Sequence, residues 1–530
     1  MRQQAMMGGI LEEEGKKARE RIFIGVRQEF DGLVEFTKTS HDTLSGFEEE
    51  AWRRGQTLLR KLVQAYVDLQ AYMEKPAKVI GADGVARKYR RNGETRNIET
   101  IFGEVDVRRS RYESGQQVAG LCPLDGELNL PAGKYSHSVA KRVSGWATMG
   151  SFDNAIETFE QTCGTTVPKR QTEELVQRSA VDFEEFYRGR SVEEIRKSQK
   201  DSTITVLTTD GKGVLVYPQD LRKETRKKME KEYGEQLYFR KRMAQVAAVY
   251  HVEPYKRSAE DVLAGLMDRT TKRTKAARPK PQDKRVWAGI VDDSEQIIGT
   301  AFEEALRRDP KQQTDWVVVV DGAEHQIKVI TDQARAWSVN VTIVCDIIHA
   351  IEYVWKAAKM LYTDKQRQRK WVKAHVDRLL RGKVSQVAAG IRRAKTKRGR
   401  KLKKAERKKI DEAADYLLNH KYYMRYDRYL KAGYPIGSGV IEGTVRQLVN
   451  DRMDITGAHW RLKSAEAVLK MRALKKSGDF ETYWAFHERQ ELKRNHLAKF
   501  ANEKLPMVLS ALTLAARRRR RQLPALRLVP

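Results

Sequence analysis

Apolar residues recur at helical spacing through the first stretch of the chain, to about Lys75: Phe47, Trp52, Leu58, Leu59, Leu62, Val63, Tyr66 and Leu69. The period then shortens to two. Lys88 to Gly93 and Ile98 to Arg109 alternate as strands do, with turn residues at Asn92-Gly93 and Gly103, and predict a small basic β-hairpin. Helical spacing returns over Ser136–Thr148, Ser151–Thr162 and Pro168 to about Tyr187. The last two segments are joined by Gly164-Thr165-Thr166-Val167, and Pro168 suits a first helical turn. The pair reads either as a helix-turn-helix or as a plain helical hairpin.

From about Thr203 the chain alternates strand and helix. Thr203–Thr209, Val214–Tyr217 and Val246–Val252 are strand-like, with a charged helix expected over Leu221–Arg242 and a loop over the Lys/Arg/Pro-rich Arg269–Lys284. Ser294–Arg308 is an amphipathic helix. Trp316–Val320 is wholly apolar, as a strand covered on both faces would be. Gln326–Trp337 is helical, Val341–Cys345 a strand, and Ile347–Leu361 helical again. Three strands, helix, strand, helix, strand, helix is the order of an α/β ribonuclease-H-like core. A basic all-α stretch, Asp364 to about Asp427, interrupts that core before the sequence around Glu442. The expected organisation is therefore a helical region (1–80), a hairpin and helix-turn-helix region (81–200), the first part of the core (201–363), the insertion (364–430), the end of the core (431–485) and a basic tail (486–530).

Charge narrows the range of partners. In 530 residues, 102 Lys and Arg stand against 71 Asp and Glu, a formal net charge of +31. Such an excess favours a polyanion, above all nucleic acid. No stretch approaches the roughly 20 apolar residues of a spanning helix, so membrane partners are not expected. No secretory signal is visible, because the N-terminus carries Glu12-Glu13-Glu14. Cys122, Cys163 and Cys345 form no CxxC pair, which suits a reducing cytoplasm and gives no zinc finger. Lys169, Arg170, Gln171 and Gln177 are the side chains that a helix-turn-helix would offer to DNA, and the basic run Lys395–Lys409 and Arg517–Arg521 are either solvated faces or contacts to a phosphate backbone.

The chemistry is expected from carboxylates. Asp210 follows Thr203–Thr209 and precedes Gly211-Lys212-Gly213; Asp321 follows Trp316–Val320 and precedes Gly322-Ala323. An acid at the end of a buried strand is expensive to desolvate unless it is paired or metal-bound. If the two strands are the first and fourth of a ribonuclease-H-like sheet, they are neighbours and the carboxylates converge. Glu442, in Gly437-Ser438-Gly439-Val440-Ile441-Glu442-Gly443, opens a helix whose apolar positions Ile441, Val445, Leu448, Val449 and Met453 face the sheet. Three such carboxylates can hold two Mg²⁺ about 3.5–4 Å apart, one activating a nucleophilic oxygen and one stabilising the leaving oxygen. Asp346 also ends a strand and is the alternative to Asp321 as a ligand. Otherwise Asp346, and His349 on the first turn after it, sit behind the ligands. Arg446 is placed to pair with Glu442 or to touch a phosphate, Lys212 and Arg452 to contact DNA, and Trp460 either to stack on a frayed base or to fill the core.

These motifs, Thr209–Gly213, Val320–Ala323, Asp346–Trp355 and Pro435–Gly443, resemble those of the DDE transposases of bacterial insertion sequences, in particular the ISKra-type family. Asp451–Trp460, Ala465–Leu469, and Thr100–Val105 with Arg109, Tyr112 and Pro123-Leu124-Asp125 are similar to the same family. The resemblance spans roughly Glu94 to Trp484. It departs after Tyr112, where many relatives carry a cysteine-bearing element and this chain has Glu113 to Gln117. It implies a catalytic triad of Asp210, Asp321 and Glu442 using Mg²⁺, with Mn²⁺ able to substitute. It also implies that Asp346 and His349 form a C/D-x-x-H signature and that the helical stretch is an insertion of the kind such enzymes carry. The partners implied are double-stranded DNA, as terminal inverted repeats and as target, and a second subunit or more on paired ends, in the nucleoid of a bacterial cytoplasm. A structure-specific nuclease of the same fold and a silent, transposase-derived DNA-binding regulator are the alternatives.

Overall fold

The computed structural model describes residues 17, 19–191, 204–234, 238–267, 278–399, 402–455 and 457–509. Thr203, most of the expected loop after Arg269, Arg400, Lys401 and Arg517–Arg521 lie outside the described residues. The chain divides into two compact units, one of residues Tyr187–Phe480 and one of the residues on either side.

The Tyr187–Phe480 unit is built on a five-stranded mixed sheet. In chain order its strands are β1 (Ile204–Val216), β2 (Arg240–Val252), β3 (Gln282–Gly289), β4 (Asp315–Val320) and β5 (Val341–Cys345), and their spatial order is β3-β2-β1-β4-β5. The β1/β2 and β2/β3 pairs are antiparallel, and β1/β4 and β4/β5 are parallel.

Three expectations need correction here. The segments Thr203–Thr209 and Val214–Tyr217 are one strand, because Gly211 and Gly213 do not turn the chain. A Cβ on Gly211 would lie 2.9 Å from Met243 Cε and one on Gly213 3.0 Å from Lys241 Cβ, so these glycines make room for side chains of β2. The third strand is β3, which begins within the stretch read as a loop. Its polar start, Gln282-Asp283-Lys284-Arg285, hides the apolar Val286-Trp287-Ala288 that follows. The helix after β1, α1 (Lys223–Tyr233), stops at Gly234 (φ 66°), and Arg240 already belongs to β2.

Further helices are α2 (Ala259–Met267), α3 (Ser294–Arg308), α4 (Glu324–Ala336), α5 (Ile347–Leu361), α6 (Lys365–Leu380), α7 (Val384–Arg398), α8 (Lys404–Asn419), α9 (Tyr426–Ala432), α10 (Gly439–Val445) and α11 (Leu462–Ser477). Alternation along the strands divides the sheet into two faces. Val206, Val317 and Val319 share one apolar cluster with Val354 and Ala357 of α5, Val372 and Val376 of α6, Ile391 of α7, and Ile410 and Leu417 of α8. The apolar stripe of the basic insertion completes the core on this face, while Lys403, Lys404, Arg407, Lys408 and Lys409 stay exposed. On the other face Phe302 of α3 packs against Trp316, with ring centroids 6.3 Å apart.

The other unit holds the helices Ile24–Thr39 and Leu44–Tyr72 and a hairpin of Tyr89–Thr100 with Gly103–Glu113, closed over Val67, Ile98, Val105, Val107 and Leu130. Asn92-Gly93 is a bulge rather than a turn: the register shifts between Arg91 and Glu94, and Gly93 adopts φ 80°. The helices His137–Ala147 and Phe152–Thr162 are capped by Ser136 and Ser151, whose hydroxyls accept from Val139 N and Asn154 N. Lys169–Ser179 ends sooner than the sequence implies, and a short helix, Phe183–Arg188, follows it. Residues 486–495 are not a tail. They belong to the helix Phe480–Asn495, where His487 and Arg494 hold the buried Asp182 at 2.6 and 3.0 Å. No helix among the described residues is long and apolar enough to cross a membrane.

Candidate active site

Strand register brings the first two acids together. β1 and β4 pair in parallel from Ile204↔Asp315 to Thr208↔Val319, and Asp210 and Asp321 continue that register two positions further on. β4 ends at Val320, so both carboxylates emerge where the parallel pairing runs out, while β1 continues alone against β2. By alternation they rise on the face covered by α5 and the insertion. Asp210 therefore lies mid-strand, where it is half-buried.

The side chains are held from several directions. Asp210 Oδ1 accepts from Gly211 N at 2.7 Å, and Asp321 Oδ1 accepts from Ala323 N at 2.9 Å. Tyr416 of α8 donates its hydroxyl to the Asp321 carbonyl at 2.7 Å and lies 3.2 Å from Cys345 Sγ. Gly322 (φ 94°) is required for this, because a Cβ there would stand 2.7 Å from the Tyr416 hydroxyl and 2.9 Å from Cys345 Sγ. Glu442 sits in the first turn of α10, with Ser438 Oγ 2.9 Å from its Oε1. Ser438 also hydrogen-bonds Asp346 Oδ2, and Asp346 Oδ1 caps α5 by accepting from Ile348 N at 2.8 Å. Asp346 is 3% exposed and uses both oxygens internally, whereas Asp321 is partly open.

Electrostatics ties the group together. Burial pushes the Asp210 carboxyl above its ordinary range, and the nearby charges of Asp321 and Glu442 push it further; the Gly211 amide and His349 oppose them. Asp346 is raised too, first by burial and then by Glu442, against its hydrogen bonds from Ser438 and Ile348. Among the described residues no Lys or Arg makes an ion pair with Asp210, Asp321 or Glu442.

Among the described residues, no three His, Cys, Asp or Glu side chains are grouped closely enough to cage a metal ion. The donor set nevertheless fits Mg²⁺, which takes one or two carboxylates and completes its shell with water and substrate phosphates. Asp210, Asp321 and Glu442 are donors of that type, and a cation beside them would offset the charges of Asp321 and Glu442 that raise Asp210.

Other candidate residues are placed differently. Arg446, 78% exposed, approaches Asp451 at 3.8 Å and not Glu442; it opens a π-turn, Arg446–Asn450, directly after α10. Arg452 and Trp460 are 3% and 4% exposed, and they pack on each other with the guanidinium 4.6 Å from the ring centroid. Trp460 Nε1 donates to Met453 O at 3.0 Å, so this tryptophan belongs to the core and does not present a face to DNA. Lys212 is half-buried on β1. In the other unit Lys169 and Arg170 are exposed and pair with Asp153 (2.8 Å) and Glu174 (3.0 Å). Surface pairs of this kind are weak enough to exchange for phosphate. Sequence reading gave no role to Ser438 or Tyr416. Ser438 stands four residues before Glu442, a spacing that hinted at it; Tyr416 carries no local signal at all. Comparison with known proteins brings no relative, as no family model and no curated protein matches the chain.

Proposed function

We propose that the chain is a DNA transposase that cuts DNA at the terminal inverted repeats of an insertion sequence and transfers the freed 3′-hydroxyl into target DNA. The observation that carries this reading is the strand register that sets Asp210 beside Asp321, with Glu442 near enough for its charge to act on Asp210. The strand order β3-β2-β1-β4-β5, with the first three strands antiparallel and the last two parallel, supports a ribonuclease-H-like core. The helical insertion between β5 and Glu442 and the net charge of +31 support the same assignment.

In this reading Asp210, Asp321 and Glu442 would hold Mg²⁺, which would supply Lewis-acid activation of the attacking oxygen and stabilisation of the leaving one. The chain's own residues orient that chemistry. Tyr416 fixes the backbone that carries Asp321, and Ser438 fixes the Glu442 carboxylate against the buried Asp346. DNA is delivered by exposed basic side chains, Lys169 and Arg170 among them, and paired element ends call for a homodimer or larger assembly.

Strand transfer tests the proposal. A labelled inverted-repeat end, incubated with full-length protein and Mg²⁺, should be cut and joined to a target duplex. Cutting without joining would leave a nuclease, and DNA binding with neither step would leave a silent regulator.

A further inference from the structure

A groove of ≈ 650 Å³ opens between α5 and α8, lined by Tyr353, Lys356, Lys359, Lys409 and Tyr416 among others. One of its lining residues, Tyr416, touches the backbone of Asp321. Tyr416, whose hydroxyl holds the Asp321 carbonyl, stacks on Tyr353 with centroids 3.8 Å apart and planes within 8°. His349 lies edge-on to both rings at 5.7 and 6.1 Å. On Tyr353 Lys356 places its Nζ 4.1 Å from the ring centroid. A ladder of rings thus runs from the candidate active site into the groove.

The charge in the groove is also uneven. The acidic side chains there, Glu412 and Asp415, are matched by Lys408 (3.9 Å) and Arg392 (2.6 Å). Lys356, Lys359 and Lys409 are exposed, and among the described residues none has a carboxylate partner. Aromatic faces beside unpaired cations are what a single-stranded nucleic acid uses, since bases stack on the rings and phosphates meet the lysines. A duplex keeps its base faces inside its own stack and cannot use Tyr353. The volume is that of a small-ligand pocket, enough for a nucleotide or two and far short of a double helix.

We propose that this groove takes the unpaired nucleotides at a DNA end, with a base on Tyr353 in place of the Lys356 ammonium and phosphates among the three lysines. The inference rests on reading the adjacent site as a DNA strand-transfer centre, and it names the form of DNA held there: an end already opened into a single strand.

The test compares two probes bound to full-length protein without divalent cation, a short duplex ending in a single-stranded thymidine extension and the same duplex with a blunt end. By fluorescence anisotropy the extended end should bind about tenfold more tightly, the scale of one base stacked on an aromatic ring. Tyr353→Ala and Lys356→Gln should lose this preference, Tyr353→Phe should keep it, and all three should bind the blunt duplex as the wild type does. Equal binding of the two probes by the wild type would overturn the proposal. So would a preference that survives in both Tyr353→Ala and Lys356→Gln, or displacement of the extension by a polyglutamate peptide that leaves blunt-end binding untouched. A wild type that prefers the extension yet neither cuts nor joins ends in Mg²⁺ would sink the transposase reading and leave the groove standing. One that cuts and joins without the preference would sink the groove alone.

Discussion

Two carboxylate groups in the sheet unit keep different company: Glu304 is buried among cations, whereas Asp210 and Asp321 are half-buried and Glu442 is exposed. Glu304 of α3 is 3% exposed, and Arg285 and Arg308 both bind it, the latter at 2.7 Å. Burial pushes its pKa up, yet the two guanidinium charges overcome this and hold it down at about 2. Asp210 also feels burial first, but its charged neighbours are Asp321 and Glu442, and its pKa rises. Where the fold needs a buried charge for structure, it supplies the counter-charge from its own side chains. Where the parallel pairing of β1 and β4 runs out it sets carboxylates side by side with no Lys or Arg ion pair among the described residues. The proposed cation site rests on that contrast.

Substitutions should separate the two clusters by what they damage. Asp210→Asn should reduce Mg²⁺-dependent DNA cutting by about a thousandfold or more, the scale of losing a principal electrostatic stabiliser of the transition state. DNA binding should stay nearly unchanged, and thermal stability should hold or rise, because a repelled buried charge has gone. An equal loss of binding and cutting would assign Asp210 to folding. Glu304→Ala should do the reverse. It strands two buried guanidinium groups and should cost about 3–5 kcal/mol in denaturant unfolding. A loss below about 1 kcal/mol would show that the cluster is solvated like a surface pair.

Ser438→Ala sharpens the comparison inside the site. It frees Glu442 and removes the hydroxyl from Asp346, whose carboxyl keeps the backbone amides of Ile348 and Ser438, at a cost of about 1 kcal/mol. Cutting should fall about tenfold or more, because each 1.4 kcal/mol lost in the transition state is a factor of ten. Stability loss with unchanged cutting would confine Ser438 to a packing role.

The two clusters should also respond oppositely to pH. Glu304, lowered in the fold, contributes stability above its unfolded value near ~4.3, and that contribution is lost as pH falls toward about 2. Asp210, raised in the fold, favours the folded state below its unfolded value near ~3.9, and the advantage is lost as pH rises through its folded pKa. Metal-free wild type and Asp210→Asn should therefore diverge above that range, the variant being the more stable. Parallel curves would remove the claim of strain. The smallest effect belongs to Arg446→Ala: this exposed side chain touches only Asp451, and unfolding should change by less than about 0.5 kcal/mol.

The sequence exposes most of the strands because apolar runs such as Val317–Val320 have no other use in a basic chain. It misreads places where two signals compete. Gly211-Lys212-Gly213 looks like a turn, but the missing side chains serve the neighbouring strand β2. The start of β3 is polar, and Arg285 there is buried because Glu304 answers it from α3. Trp460 shows the limit on single residues: an aromatic in a basic chain suits base stacking equally well until its hydrogen bond to Met453 places it in the core. Asp321 and Glu442 were legible because a strand end and a helix start fix them, and Asp210 because its glycine neighbours flag it, although they signal a turn that the strand does not make. Tyr416 was not, because its contact with Asp321 crosses 95 positions and only the folded insertion makes it.

Direct titration of Mn²⁺ into the metal-free full-length protein bears most closely on the central contrast. Calorimetry or the paramagnetic signal of the free ion should show binding to the wild type, strong loss in Asp210→Asn and in Glu442→Gln, and a metal-induced rise in thermal stability confined to the wild type. Equal binding by the wild type and both variants, or none by the wild type, would contradict a cation site at these carboxylates.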